Sequence, residues 1–387
     1  MFRLPASARD RRLDTVRERI AEEGVDAGVW FDATSIEYLA GFPHVVTERP
    51  VVLVVTAETV ALVVPRLEVE RARAVEHVDA VHHYFDYPAA SPMGTVRETL
   101  DSLGVGSVAA DAGSPPSVMG YEGPSLDEFV DVREQSWVRE ARREKSAAEL
   151  ELIRESARWA DRVHDHLAGL VRPGANPLTV SERAMTAGTE SLTAELGDDY
   201  EARTRFDGPV IAGIVSGERT GRPHAYTSND PLEPGDSLIT GVVVDIGGYQ
   251  AELERTMFVG HPDDRAREYF EIMCAAQSAA IDSIAPGVPV ATVERTARDY
   301  FEERGVLEFT RHHSGHALGM ELHEPPYLDR GSDATIRAGD VYAVEPALYT
   351  DVGGFRHSDT VVVTADGAER ITETPRGFEA NVLPTDD

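Results

Sequence analysis

The chain has 387 residues, too many for one average domain and enough for two, and 42% are hydrophobic, which supports a sizeable core and excludes a disordered chain. Its 68 acidic against 37 basic residues give a formal net charge of -31, which excludes the basic face that nucleic-acid binding requires. The single cysteine, Cys274, excludes an intramolecular disulfide, and no run approaches the roughly 18 apolar residues of a membrane span. The start, MFRLPASARDRRLD, has no apolar core of the kind that opens a secretory leader, so a cytoplasmic, non-membrane protein is expected.

Residues 8–24 predict an amphipathic helix, with Leu13, Val16 and Ile20 at 3–4 spacing and Gly24 as a stop. DAGVWFD reads as a strand, VVLVVTAETVALVVP (51–65) as two strands across a polar turn, and VDAVHHYFDY and VGSVAADAG as further strands. RETLDSLG (97–104) predicts a short helix ended by glycine. This alternation gives a small α/β domain over residues 1–138, followed by a second domain over 139–387. The second opens on a long helical stretch, 139–170, and another, 178–196. Strands follow in FDGPVIAGIVSG, DSLITGVVVDIGGYQAE and RTMFVG, then helices over 264–287 and 290–305, then strands in DVYAVEPALYT and FRHSDTVVVTADGAERIT.

Of the basic residues only Lys145 is a lysine; the rest are arginines. Acid excess with almost no lysine resembles the proteins of salt-accumulating halophiles, whose surface self-repulsion is tolerable where the Debye length falls to about 3 Å, as in molar salt.

Four segments place polar residues inside otherwise apolar strands: GRPHAYTSND (221–230), GYQAELERTMF (248–258), HHSGHALGMELHEPP (312–326) and VYAVEPALY (341–349). Ionised carboxylates in core-like strands are costly unless paired or functional. Glu252 and Glu254, two apart on a strand, point to one face, and their paired charge calls for a cation: a metal, a protonated histidine or a cationic substrate.

In this order, over roughly residues 140–380, these segments resemble the pita-bread superfamily of creatinase, aminopeptidase P, prolidase and methionine aminopeptidase. DATSIEYLAGF and TERPVVLVV resemble that family's N-terminal domain. The resemblance implies an α+β pita-bread catalytic domain behind a smaller α/β domain, and a homodimer. It also implies, for the metallopeptidases, two divalent ions on Asp, Asp, His, Glu and Glu. Carried onto this chain, the first position falls on Gly241, the second on Glu252, the histidine on His316, the first glutamate on Glu345 and the last on Ser358, before Asp359. Asp245 is four residues out of register. Two ions need carboxylates that offset about four charges and hold the ions roughly 3.5–4 Å apart. Glu252, His316 and Glu345 offer one weak site at best, so no metal is expected, the alternative being one divalent ion (Mn, Co or Zn).

The departures resemble creatinase, which shares the fold without a metal and reads ALERT where this chain has ELERT. That resemblance implies that Glu254 and Glu345 grip a guanidinium group, that His224 is the catalytic histidine, and that Arg49, in TERP, reaches the partner subunit's site to bind a substrate carboxylate. Creatinase's second carboxylate-binding arginine has no counterpart here. The expected activity is hydrolysis of a C–N bond in a small cationic nitrogen compound, creatine-like or ectoine-like. His224 would move the proton, His316 and His323 would orient water or stabilise developing charge, and Glu252 would line the substrate site. The spacing of His312, His313 and His357 assigns them no role. The alternatives are an Xaa-Pro metallopeptidase with an altered metal site and a non-catalytic module that binds a cationic solute.

The surface charge yields a prediction of its own. The thermal midpoint should climb from dilute buffer to molar KCl as self-repulsion is screened. A flat or falling midpoint in calorimetry across that series would contradict the halophile reading.

Overall fold

The structure, a computed structural model, describes residues 2–115, 120–200, 202 and 208–385. Internal contacts divide the chain into two compact units, Leu4–Arg142 and Arg143–Asp387 with Met1–Arg3.

In the N-terminal unit the first helix, α1 (Ala6–Glu23), buries Ala8, Leu13, Val16 and Ile20 and stops at Gly24, whose φ of 65° suits a residue without a side chain. There follow β1 (Ala27–Trp30), α2 (Ala33–Ala40), β2 (Val52–Val55), β3 (Val60–Pro65), α3 (Val69–Arg73), β4 (Ala80–Tyr84), α4 (Pro92–Leu103), β5 (Ser107–Ala110), β6 (Asp131–Glu134) and α5 (Trp137–Ala141). The strands form one sheet in the order β4-β3-β2-β1-β5-β6. β2 and β3 pair antiparallel and are buried at every position, which is why both read as unbroken valine-rich runs. The helix expected over 97–104 begins earlier, at Pro92, because the Ser91 side chain caps the Gly94 N–H and proline suits the first helical position.

The continuous helix expected over 139–170 is broken. α5 ends in the first unit, and α6 (Ala147–Ala168) restarts behind Ser146, which forms a reciprocal capping box with Glu149. α7 (Pro177–Leu196) packs beside it. The strand expected from 206 begins at Val210 as β7 (Val210–Ser216); Phe206 and Asp207 lie outside the described residues. β8 (Ser237–Ile246) and β9 (Tyr249–Val259) are one long hairpin, closed by Gly247 and Gly248 at φ 62° and 86°, a two-residue turn that needs positive φ at both places. α8 (Asp264–Asp282) and α9 (Val290–Glu303) lead to β10 (Gly315–Ala317), β11 (Glu324–Tyr327), β12 (Val341–Val344), β13 (Ala347–Thr350), β14 (Gly353–Arg356), β15 (Ser358–Thr364), β16 (Gly367–Arg370) and β17 (Val382–Leu383).

Among the described residues these strands make a mixed sheet ordered β11-β10-β12-β15-β9-β8-β7, with β16 on β15 and β17 on β9. α6 covers one face: the ring Nε2 of His164 lies 2.9 Å from the Thr240 hydroxyl, and Ser156 donates to the Tyr249 carbonyl at 2.7 Å. Thr240 is opposite Arg255, and Gly241 is opposite Glu254. Side chains alternate along a strand, so Gly241, Glu252 and Glu254 look away from α6. Arg255, fully buried on the helix side, pairs with fully buried Asp359 at 2.7 Å; Asp359 also accepts from Thr372 and Gln277. This network ties β9 to β15 behind the face that carries the glutamates.

Burial holds His164 neutral, its pKa pushed down to about 3 from an ordinary value near 6.5, with Arg255 adding to the effect. The folded pKa is the depressed one, so below pH 6.5 the unfolded chain binds a proton that the folded chain refuses. Stability is full above pH 6.5 and falls toward pH 3, by about 1.4 kcal/mol per pH unit from this one group. His164→Gln should flatten the dependence in urea titrations between pH 7 and 4.5. Parallel slopes for the two proteins would show that His164 does not titrate in this way.

A candidate metal and catalytic cleft

The glutamate-bearing face gathers residues from β9, β10, β12 and β14. Glu252 and Glu254 stand two apart on β9, and the Glu252 backbone is fixed from both sides by the Thr360 hydroxyl, which accepts from its N–H at 3.0 Å and donates to its carbonyl at 2.8 Å. Glu345 follows β12 where Pro346, lacking an N–H, ends the ladder and turns the chain into the separate hairpin of β13 and β14. The Glu345 N–H donates to the Ser314 carbonyl at 2.8 Å, and its side chain is nearly buried. The three carboxylates come within 4.8 Å of one another.

His316, on β10, is 1% exposed. Its Nδ1 lies 3.1 Å from the Ala317 carbonyl, an atom that can only accept, so Nδ1 carries a proton and the ring turns its Nε2 outward. That Nε2 has no hydrogen-bond partner, yet it lies 3.8 Å from a Glu252 oxygen and 3.7 Å from a Glu345 oxygen. An unpartnered ring nitrogen buried between two carboxylates calls for a positive charge at that position, a proton on the ring or a bound cation. Ligands about 2.1 Å from one small divalent ion cannot be more than about 4.2 Å apart, and the His316 spacings meet that limit. The carbonyl on Nδ1 is also the outer contact that fixes a metal-binding histidine. Glu252, His316 and His323 thus form one possible ion position, with Glu345 beside it, and the alternative of one divalent ion suits this geometry better than the expectation of none. His323 stacks on His316, ring centroids 3.8 Å apart, and its ligand atom comes within 4.8 Å of those of Glu252 and His316.

The second cation in the cleft belongs to the protein. Arg356, at the end of β14, donates through Nη2 to Glu254 at 2.6 Å, and its Nε lies 2.5 Å from the other Glu254 oxygen and 3.7 Å from Glu345. Its Nη1 donates to the Tyr349 hydroxyl at 3.1 Å. That hydroxyl lies 2.9 Å from Nε2 of His312, whose Nδ1 faces the His313 carbonyl. The directions are thereby set: His312 accepts from Tyr349, which accepts from Arg356. Burial pushes His312 down to about 4, consistent with an accepting, neutral ring. Burial also raises Glu345 well above the usual carboxylate range, with Glu252 adding to it, and raises Glu254 against the opposing pull of Arg356.

Residues 151–365 match Metallopeptidase family M24, and residues 12–143 match the Creatinase/Prolidase N-terminal domain. The chain belongs to the M24 family. The probable dipeptidase PepE of Mycobacterium tuberculosis is 30% identical over 394 residues, covering 99% of this chain and 98% of that one. An Xaa-Pro dipeptidase of Pyrococcus horikoshii is 27% identical over 372 residues, 95% and 98% of the two chains. The solved Xaa-Pro dipeptidase from Bacillus anthracis superposes with a TM-score of 0.81 at 24% identity, covering 97% of this chain and all of that one, a likeness of fold. The pita-bread fold with a creatinase-type N-terminal domain is thus established, and so is membership of a family of hydrolases.

The M24 cleft brings Glu252, Glu254, Glu345, His316 and His323 together. His224 lies on an exposed loop with φ 57°, uncommon for a residue with a side chain, and close enough for its charge to act on His312 and His323. Arg49 belongs to the N-terminal unit, where its guanidinium is bound by Glu48 and by Asp86. His357 is fully buried against Phe270 and near Cys274, and burial holds it neutral, as a core residue would be. Sequence reasoning missed Arg356 as a member of the site; its signal was the Gly354-Phe355-Arg356 triplet just ahead of Ser358. The expectation of three carboxylates free to hold a guanidinium substrate fails because Arg356 already fills that role.

Gly241 has a local reason. A Cβ there would stand 3.4 Å from a Glu254 oxygen. Gly241→Ala should change stability little, whereas Gly241→Asp in metal-stripped protein should cost about 1–3 kcal/mol by setting an unpaired carboxylate beside Glu254. Equal denaturant midpoints for the two variants would overturn this account of the glycine.

Proposed function

We propose that this chain hydrolyses the amide bond of dipeptides, Xaa-Pro dipeptides among them, with one divalent ion (Mn, Co or Zn) held by Glu252, His316 and Glu345. The observation that carries the reading is the unpartnered His316 Nε2 between two buried carboxylates. The substrate class is supported by M24 membership and by relatives named dipeptidase and Xaa-Pro dipeptidase that match nearly the whole chain.

When bound, such an ion supplies Lewis-acid polarisation of a carbonyl. The remaining work falls to side chains. His224, on its exposed loop, would return a proton to the leaving nitrogen, a contribution of about 10²–10⁴-fold. His323, stacked on His316, would orient water. Arg356 keeps a fixed positive charge beside Glu345 and cannot act as a proton donor at working pH. The creatine-like reading is weaker, because the carboxylate it assigns to a substrate guanidinium, Glu254, is engaged by Arg356.

A side-by-side panel tests the proposal: two Xaa-Pro dipeptides, two other dipeptides, creatine, guanidinoacetate and ectoine, each with manganese and with chelator. Dipeptides should turn over with manganese only, and His316→Ala should lose both the ion and the activity. Hydrolysis of creatine, guanidinoacetate or ectoine in chelator, with dipeptides untouched, would sink it.

A further inference from the structure

Three strands meet in register across the cleft. Gly241 on β8 is opposite Glu254 on β9, and Glu254 is opposite Ser358 on β15. In the peptidase pattern the two outer positions carry carboxylates, whereas here both are short and the single carboxylate of the row is on the central strand. Both outer residues are short: a Cβ on Gly241 would make an ordinary contact with Glu254 at 3.4 Å, and the fully buried Ser358 hydroxyl makes no hydrogen bond.

Arg356 then completes the row. Its guanidinium donates to one oxygen of Glu254 through Nη2 at 2.6 Å and ion-pairs with the other, 2.5 Å from Nε. Glu345 faces two ways, with one oxygen 3.7 Å from His316 Nε2 and the other 3.7 Å from Arg356 Nε. A carboxylate that shares its two oxygens between neighbouring cationic positions is a bridging ligand in form. One of those positions is the one His316 and Glu252 define; the other holds a guanidinium. Tyr349 and His312 anchor Arg356 from behind in a chain of fixed direction.

We propose that the Arg356 guanidinium stands in for a second metal ion, with Glu345 as the bridge between it and the ion position at Glu252 and His316. This rests on the one-ion reading above. Arg356 is accordingly a positioning residue: it holds Glu254 and one side of Glu345 and fixes the number of ions the cleft accepts. Removing its charge leaves Glu254 and Glu345 without a partner and opens a second ion position.

The experiment is manganese titration of chelator-stripped full-length protein, read by calorimetry for stoichiometry and by electron paramagnetic resonance for spin coupling between neighbouring ions. Arg356→Met should bind one manganese more per chain than the wild type, with a coupled signal that the wild type lacks. Arg356→Lys, which keeps a charge, should show no gain, and neither should Arg356→Met combined with Glu254→Gln. If Arg356→Met does not fold, judged by circular dichroism, Arg356→Gln carries the same test. The same stoichiometry in wild type and charge-removing variant, two coupled ions in the wild type, or a gain that survives Glu254→Gln would each overturn the proposal. The wild-type count reports separately on the one-ion reading: no manganese there defeats that reading, while a gain on removing Arg356 still upholds the exchange of guanidinium for metal.

Discussion

Rigid β-strands hold Glu252, Glu254 and Glu345 within a few ångströms of one another in a nearly buried cleft. Three negative charges so placed repel strongly in a medium less polarisable than water, and burial makes each charge costlier. The Arg356 guanidinium is the compensation built into the chain. It donates one hydrogen bond to Glu254 and ion-pairs with the other oxygen of that carboxylate. The carboxylate oxygens that face His316, at 3.8 and 3.7 Å, are where the proposed ion would sit.

The opposite side of the sheet obeys the same rule. Arg255 is wholly buried, and its charge is tolerable because Asp359 and the carbonyls of Glu254, Ser358 and Thr374 receive its donors. Adjacent residues of β9, Glu254 and Arg255, thus point to opposite faces, and each finds a buried partner of opposite sign. Both networks cross from β9 to the β14–β15 segment, so the strands that shape the cleft are locked from two sides.

Much of this was legible in the residues. The valine runs of β2 and β3, the ELERT strand and the GHALG and VEP segments announced the fold and brought five of the cleft residues to attention, because apolar strands with embedded acids are hard to explain otherwise. That short residues, Gly241 and Ser358, stand where the resembled peptidases carry carboxylates came from the resemblance. What spacing could not supply was the third dimension. Arg356 lies two residues from Ser358 along the chain, and only the β13–β14 hairpin, created by the break at Pro346, directs it back onto Glu254. The preference for a cationic substrate followed from counting acids without that internal base. The helix over 139–170 was misread for a similar reason: propensity is continuous there, but the Ser146–Glu149 box restarts the helix at a unit boundary.

Lys145 occupies that same boundary segment. The chain's one lysine is 5% exposed, and its ammonium lies 3.2 Å from a buried Glu324 oxygen, on the residue that follows His323. Every other positive side chain is a guanidinium, far less nucleophilic than an amine. The folded surface therefore offers almost no lysine handle to acylating, glycating or cross-linking chemistry. Access to that ε-amine requires the segment just ahead of α6 to come away from Glu324 on β11, which makes the lysine an internal reporter of whether that contact is closed.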